Sequence, residues 1–143
     1  MKNKNTKFNL FIGRYQSPHK GHQTIFNEYL KKGEPVLIAI RDVPPDENNP
    51  LPAHIVMSLW REVYRDNELV QVMIIPDIAS VNYGRGVGYE VKEIKVDDKI
   101  ASISATEIRN QIINNQSDWK ELVDERIHIY LENAFKNTYG NIK

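Results

Sequence analysis

The sequence predicts an α/β domain, a parallel sheet with flanking helices. Three observations carry that reading. Leu10-Phe11-Ile12 and Val36-Leu37-Ile38-Ala39-Ile40 are short, unbroken apolar runs, the pattern of strands buried in a parallel sheet. Between them Ile25, Phe26, Tyr29 and Leu30 recur at helical spacing. Strand, helix and strand within about thirty residues form one βαβ unit, with a right-handed crossover.

The elements follow in order. Residues Met1 to Lys7 are polar and basic without an apolar stretch, so they read as a frayed lead-in and not as a secretory signal. The domain proper is expected over residues 8–136. The first strand runs into Gly13, a permissive turn residue, and Pro18 follows. A helix is expected from Gln23 to Lys32, with Gly33 as its stop. Pro35 opens the second strand. Arg41 to Pro52 holds four prolines and reads as a loop. It lies at the carboxyl end of a strand, where open α/β sheets bind ligands.

A second helix is expected from Ala53 to Asp66, with Ile55, Val56, Leu59, Trp60 and Val63 on its apolar face. A third strand, Val70 to Ile75, ends at Pro76-Asp77. Val81 to Gly88 carries three glycines and reads as a turn-rich loop. Short strands are expected near Tyr89 and Val91 and at Ile94 to Val96. Ser104-Ala105-Thr106-Glu107 fits a capping box that opens a helix reaching about Asn114. The last helix is expected from Asp118 to Lys136, followed by a loose tail from Asn137 to Lys143.

Composition narrows the function classes. With 143 residues the chain is one domain, large enough to bury a core without staples. Lys plus Arg equals Asp plus Glu at 19 each, so no global field draws nucleic acid or an anionic membrane. A local basic cluster suffices for a phosphate. The chain has no cysteine, which removes disulfides and thiolate metal sites. No apolar run approaches transmembrane length, and the cytoplasm is the default compartment.

The chemistry-bearing residues cluster in two stretches. The first is Gly13-Arg14-Tyr15-Gln16-Ser17-Pro18-His19-Lys20-Gly21-His22. A strand, a tight turn and a helix N-terminus offer backbone N–H groups to an anion, and Gly21 lets a ligand approach the backbone. The second is Ile103-Ser104-Ala105-Thr106-Glu107-Ile108-Arg109. It offers another helix N-terminus, two hydroxyls and a guanidinium. A zinc pair is an alternative for the two histidines, but no third ligand is evident. Ser104 and Glu107 serve as a cap in any case, and capping does not exclude phosphate binding.

Both stretches resemble the motifs of the nucleotidyltransferase (HIGH-motif, cytidylyltransferase-like) superfamily. The match is best to its nicotinamide-nucleotide adenylyltransferase branch, which opens Gly-Arg-Phe-Gln-Pro-Phe-His-x-Gly-His. The resemblance implies a Rossmann-like, HUP-like fold and transfer of a nucleoside monophosphate from a nucleoside triphosphate to a phosphorylated small molecule. It implies His19, His22 and Arg109 as catalytic residues. It implies Ile12, Gly13, Arg14, Tyr15, Lys20, Gly21, Ile103, Ser104 and Thr106 around the nucleotide, and Mg²⁺ carried by the triphosphate rather than by protein side chains. Self-association is common in the family. Asp42, Asp77 and Arg85 are candidates for the acceptor, while His54 is left unassigned and His128 reads as structural.

The chain departs from that branch in its middle. Asn49-Pro50-Leu51-Pro52 echoes the start of Asn-Pro-Phe-Thr-x-x-Glu-Arg, but Ile55-Val56 stands where the Glu-Arg pair belongs. The stretch between Asp77 and Ile103 is also short for the branch. The Gly-Arg-Tyr-Gln opening favours ATP over CTP, with nicotinamide mononucleotide the first acceptor. Cytidylyl transfer to a polyol phosphate such as glycerol 3-phosphate is the second reading, and a nucleotide-binding regulatory module without turnover is the third.

Overall fold

Strand β1 (Asn9–Gly13) pairs in parallel with β2 (Val36–Asp42), and β2 pairs in parallel with β3 (Val70–Pro76). The computed structural model describes residues 6–84, 86, 88–93 and 103–140. Helix α1 (Lys20–Leu30) joins β1 to β2, and α2 (Ala53–Val63) joins β2 to β3. The sheet order is β1-β2-β3, so both crossovers step the same way. Two right-handed crossovers in one direction put both helices on one face. This is a Rossmann-like α/β arrangement, as the apolar runs predict.

The register fixes which side chains meet those helices. Phe11, Ile38 and Val72 share one row, and Val36, Ile40, Val70 and Ile74 lie on the same face. All of them join the core, against Phe26 of α1 and Val56, Leu59 and Trp60 of α2. The opposite face carries Leu10 and Met73, both substantially exposed. Helix α3 (Ala105–Ile113) adds Ile108 and Ile112 to the core, and α4 (His128–Gly140) adds Leu131 and Phe135.

Several boundaries differ from the sequence reading, each for a local reason. Helix α1 begins at Lys20 rather than Gln23, because His19 is its N-cap. Gly33 does stop the chain, with a left-handed φ of 76°. Helix α2 ends at Val63, before the expected Asp66, and Asn67 Oδ1 turns the chain by accepting from the Leu69 N–H. The last helix is not continuous from Asp118. A 3₁₀ segment at Asp118–Leu122 breaks at the extended Val123, and Asp124 caps a second one at Glu125–Ile127 before α4 starts. Helix α4 then runs to Gly140, past the Lys136 boundary.

Residues 88–93 form no strand, so the short strand expected near Tyr89 and Val91 is absent there. The strand expected at Ile94 to Val96 lies outside the described residues. Among the described residues, no helix is long and apolar enough to cross a membrane.

Candidate functional site

The site begins where β1 leaves the sheet. Tyr15 takes a left-handed φ of 53°, uncommon for a side chain of its size. Its ring folds back over Gly13, where an added Cβ would lie 3.1 Å from the ring. The ring meets His22 edge-on at 4.9 Å and Trp60 at 5.5 Å between centroids. Burial pushes the Tyr15 phenol far above its ordinary pKa. These contacts hold the turn that delivers the two histidines.

The histidines form a reciprocal cap on α1. His19 Nδ1 accepts from the Gly21 N–H at 3.0 Å, and His22 Nδ1 accepts from the His19 N–H at 3.2 Å. The rings stack with centroids 3.8 Å apart. A backbone N–H only donates, so each Nδ1 must present a lone pair. The proton of each neutral ring therefore sits on Nε2. Burial lowers the His19 pKa to about 4. Burial, with a smaller contribution from His19, lowers that of His22 to about 3. At neutral pH the pair supplies two uncharged N–H donors.

That neutrality has a consequence for stability. In the unfolded chain both imidazoles take up protons near pH 6.5, while in the fold they resist until pH 4 or below. Their contribution is complete above pH 6.5 and is lost as pH falls toward 4. Urea melts should show a loss on the order of 6 kcal/mol over that window, about half from each ring. A variant with His19→Asn and His22→Gln should have a shallower pH slope. An unchanged slope would mean that other groups set the acid limit.

The second motif stands on α3. Ser104 is the N-cap, its Oγ accepting from the Glu107 N–H at 3.3 Å. The return half of the expected capping box is not formed; Glu107 Oε1 instead accepts from Gln111 Nε2. Thr106 is exposed, Ile103 packs against the core, and Arg109 is buried to 6% exposure. Arg109 Nη1 donates to the Asn48 carbonyl at 2.8 Å. That carbonyl belongs to the β2–α2 loop.

The first motif reaches the same loop. Arg14 Nη2 donates to the Pro44 carbonyl at 3.4 Å, and Arg14 Nη1 lies 3.7 Å from Asp46 Oδ2. Gln16, almost fully buried, donates from Nε2 to the Leu51 carbonyl at 2.7 Å and accepts the Leu51 N–H at 2.8 Å. Asp46 shapes the turn between these anchors, its Oδ1 accepting from the N–H groups of Asn48 and Asn49. Those bonds, chiefly that of Asn49, hold its carboxyl below the usual carboxylate range. Arg14 and Arg109, 95 positions apart in sequence, thus converge on one turn.

The remaining candidates fall at the strand ends. Ile12 and Gly13 end β1, Lys20 is exposed in the first turn of α1, and Gly21 is buried beneath the cap. Asp42 ends β2 and lines a cavity of about 340 Å³ with Pro44, Pro45, His54 and Ile74. Pro44 is common to that cavity and to the Arg14 contact. Asp77 is occupied by Arg41, whose Nε and Nη2 donate to Oδ1 at 3.0 and 2.7 Å. That pairing holds the Asp77 carboxyl below its ordinary range. Arg85 lies outside the described residues.

Sequence reasoning missed the roles of Gln16, Arg41 and Asp46. Only Asp46 carried a local signal, since Asp followed by Asn48 and Asn49 marks an Asx-type turn. Among the described residues, no three His, Asp or Glu side chains converge as a metal site would require.

No family model matches the chain. It is 29% identical to a nicotinamide-nucleotide adenylyltransferase of Methanococcus aeolicus, with 80% of this chain and 81% of that protein covered. The resemblance to the nucleotidyltransferase superfamily, on its nicotinamide-nucleotide adenylyltransferase side, stands on this relative as well as on the two motifs.

Proposed function

We propose that the chain transfers a nucleoside monophosphate from a nucleoside triphosphate to a phosphorylated small molecule. Its best pair is ATP and nicotinamide mononucleotide. The observation that carries this is the convergence of Arg14 and Arg109 on one turn, together with a stacked pair of neutral histidines against which Tyr15, the residue after Arg14, packs its ring. Two cations that share one turn, and two N–H donors on the helix that follows Arg14, suit phosphate oxygens better than they suit a metal cation or a neutral ligand.

In the proposed reaction an oxygen of the acceptor phosphate attacks the α-phosphorus. The bond from that phosphorus to its bridging oxygen breaks, and pyrophosphate leaves. No covalent adduct with the protein is required, so the chain contributes positioning and charge stabilisation. His19 and His22 donate from Nε2 to the oxygens on which charge grows. Because they are neutral before the ligand arrives, they pay no deprotonation cost and lose little to solvent. Arg14 and Arg109 take the phosphates, and the α3 N-terminus with Ser104 and Thr106 takes the β and γ groups. Mg²⁺ would be carried by the triphosphate rather than by protein side chains, and would supply positive charge to the phosphates.

The acceptor is assigned to the cavity beside Asp42 and His54. Asp77 contributes through Arg41, by fixing the end of β3 to the end of β2, more than by direct contact. The test is pyrophosphate release with Mg²⁺, run over ATP, CTP, GTP and UTP against several phosphorylated acceptors. Release with ATP and nicotinamide mononucleotide is the expected result. Release with CTP alone would move the chain to cytidylyl transfer. Tight nucleotide binding with no release from any pair would leave a binding module.

A further inference from the structure

The two arginines expected to hold phosphate are already engaged. Arg109 donates to the Asn48 carbonyl, and Arg14 meets both the Pro44 carbonyl and the Asp46 carboxylate. All of these acceptors belong to the loop between β2 and α2. The loop's far end is fastened differently. Gln16 grips both the N–H and the carbonyl of Leu51 in a buried pair of bonds, and Leu51 itself is buried. One end of the loop is therefore anchored in the core. Its turn meets Arg14 and Arg109, two cations that a polyphosphate would claim.

We propose that the turn Asp46–Asn49 is a self-inhibitory strap, with the Asp46 carboxylate standing in for a ligand phosphate at Arg14. A polyphosphate anion displaces it, and the strap pivots on the Gln16–Leu51 anchor. The proposal deepens the nucleotidyl-transfer reading and rests on it only for the identity of the anion. A phosphate carries more charge than one carboxylate and can bind a guanidinium through two oxygens, so the exchange favours the ligand. The Asp46 side of the pair is half exposed, the Arg14 side is largely buried, and the contact is a long 3.7 Å, so it resists displacement weakly. The strap thus shields the arginines from single carboxylates and singly charged anions while yielding to a polyphosphate.

The two oxygens of Asp46 have separate tasks, which makes a clean test available. Oδ1 accepts the turn bonds, and Oδ2 faces Arg14. Asp46→Asn keeps an Oδ1 acceptor for the turn and puts a neutral amide N–H₂ in place of the charged oxygen opposite the guanidinium. Calorimetric titration of wild type and this variant with inorganic tripolyphosphate and with ATP measures the competition directly. The variant should bind both about 2- to 5-fold tighter, the factor that a solvent-facing ion pair typically contributes. Hydrogen exchange should show the Asn48 and Asn49 amides opening on tripolyphosphate addition, while the Leu51 amide stays protected.

Equal or weaker binding by Asp46→Asn would overturn the strap. So would continued protection of Asn48 and Asn49 in the tripolyphosphate complex, or failure of either protein to bind any polyphosphate. Tighter binding and turn opening, with no pyrophosphate released in the substrate grid, would uphold the strap and reject nucleotidyl transfer alone.

Discussion

Replacing His22 by alanine should lower turnover by about 10³-fold, the scale of losing a preorganised donor to a developing phosphoryl charge. The loss has two parts. The Nε2–H donor disappears, and so does the Nδ1 acceptor that holds the His19 N–H in the α1 cap. His19 then loses the ring stacked against it at 3.8 Å. His22→Gln separates the parts, because glutamine offers both an acceptor and a neutral N–H on a longer arm. It should retain activity about ten-fold or more above the alanine variant. Nucleotide affinity should change far less than turnover in both if the proposed transition-state role of His22 holds. A folded His22→Ala protein within ten-fold of wild type would remove that imidazole from the mechanism.

Trp60→Ala should cost about 3–5 kcal/mol of stability, the range for truncating a fully buried aromatic side chain. Trp60 has no exposed surface and sits at the join between core and site. Its ring meets Phe26 at 5.3 Å, Tyr15 at 5.5 Å, His22 at 5.7 Å and Tyr64 at 5.9 Å. For a chain of this size that loss lowers the melting temperature by roughly 10–15 °C. Trp60→Phe should cost much less. It keeps an aromatic face toward Tyr15 and removes an indole N–H that has no hydrogen-bond partner in the core. Thermal melts of both variants decide the matter. A loss under about 1 kcal/mol for the alanine variant would show that the cluster repacks around the void.

Much of the fold was legible because its signals are local. The run Val36 to Ile40 reads as a buried strand, and Val36, Ile38, Ala39 and Ile40 are all buried. Helix α2 shows its apolar face plainly, and Val56, Leu59, Trp60 and Val63 line the core. The element that misled was the last helix. Trp119, Leu122 and Val123 fit a helical period, yet Val123 is extended and the segment folds as two 3₁₀ pieces. Periodicity marks which side chains are buried, and a tight 3₁₀ turn can bury the same ones.

The two motifs of the candidate site were legible as residue types in a fixed order. What they do to one another was not. Sequence spacing says nothing of a contact between Arg109 and Asn48, which depends on how α3 lies beside the β2–α2 loop. Nor does it reveal that a histidine will cap a helix, since Ser, Thr, Asp and Asn are the residues expected there. The cap is nevertheless what assigns the tautomer, and with it the chemistry open to both rings.

The bond pair between Gln16 and Leu51 also gives the protein a built-in spectroscopic label. A glutamine side-chain amide in water exchanges its protons quickly and resonates with every other glutamine and asparagine in the chain. Here one of its N–H bonds is directed at a buried carbonyl 2.7 Å away. That proton should be shifted downfield and slow to exchange, apart from the crowded region of the spectrum. In an isotope-labelled sample it would report on the loop's anchored end without any engineered probe, and its persistence through a titration would follow the anchor at a single atom.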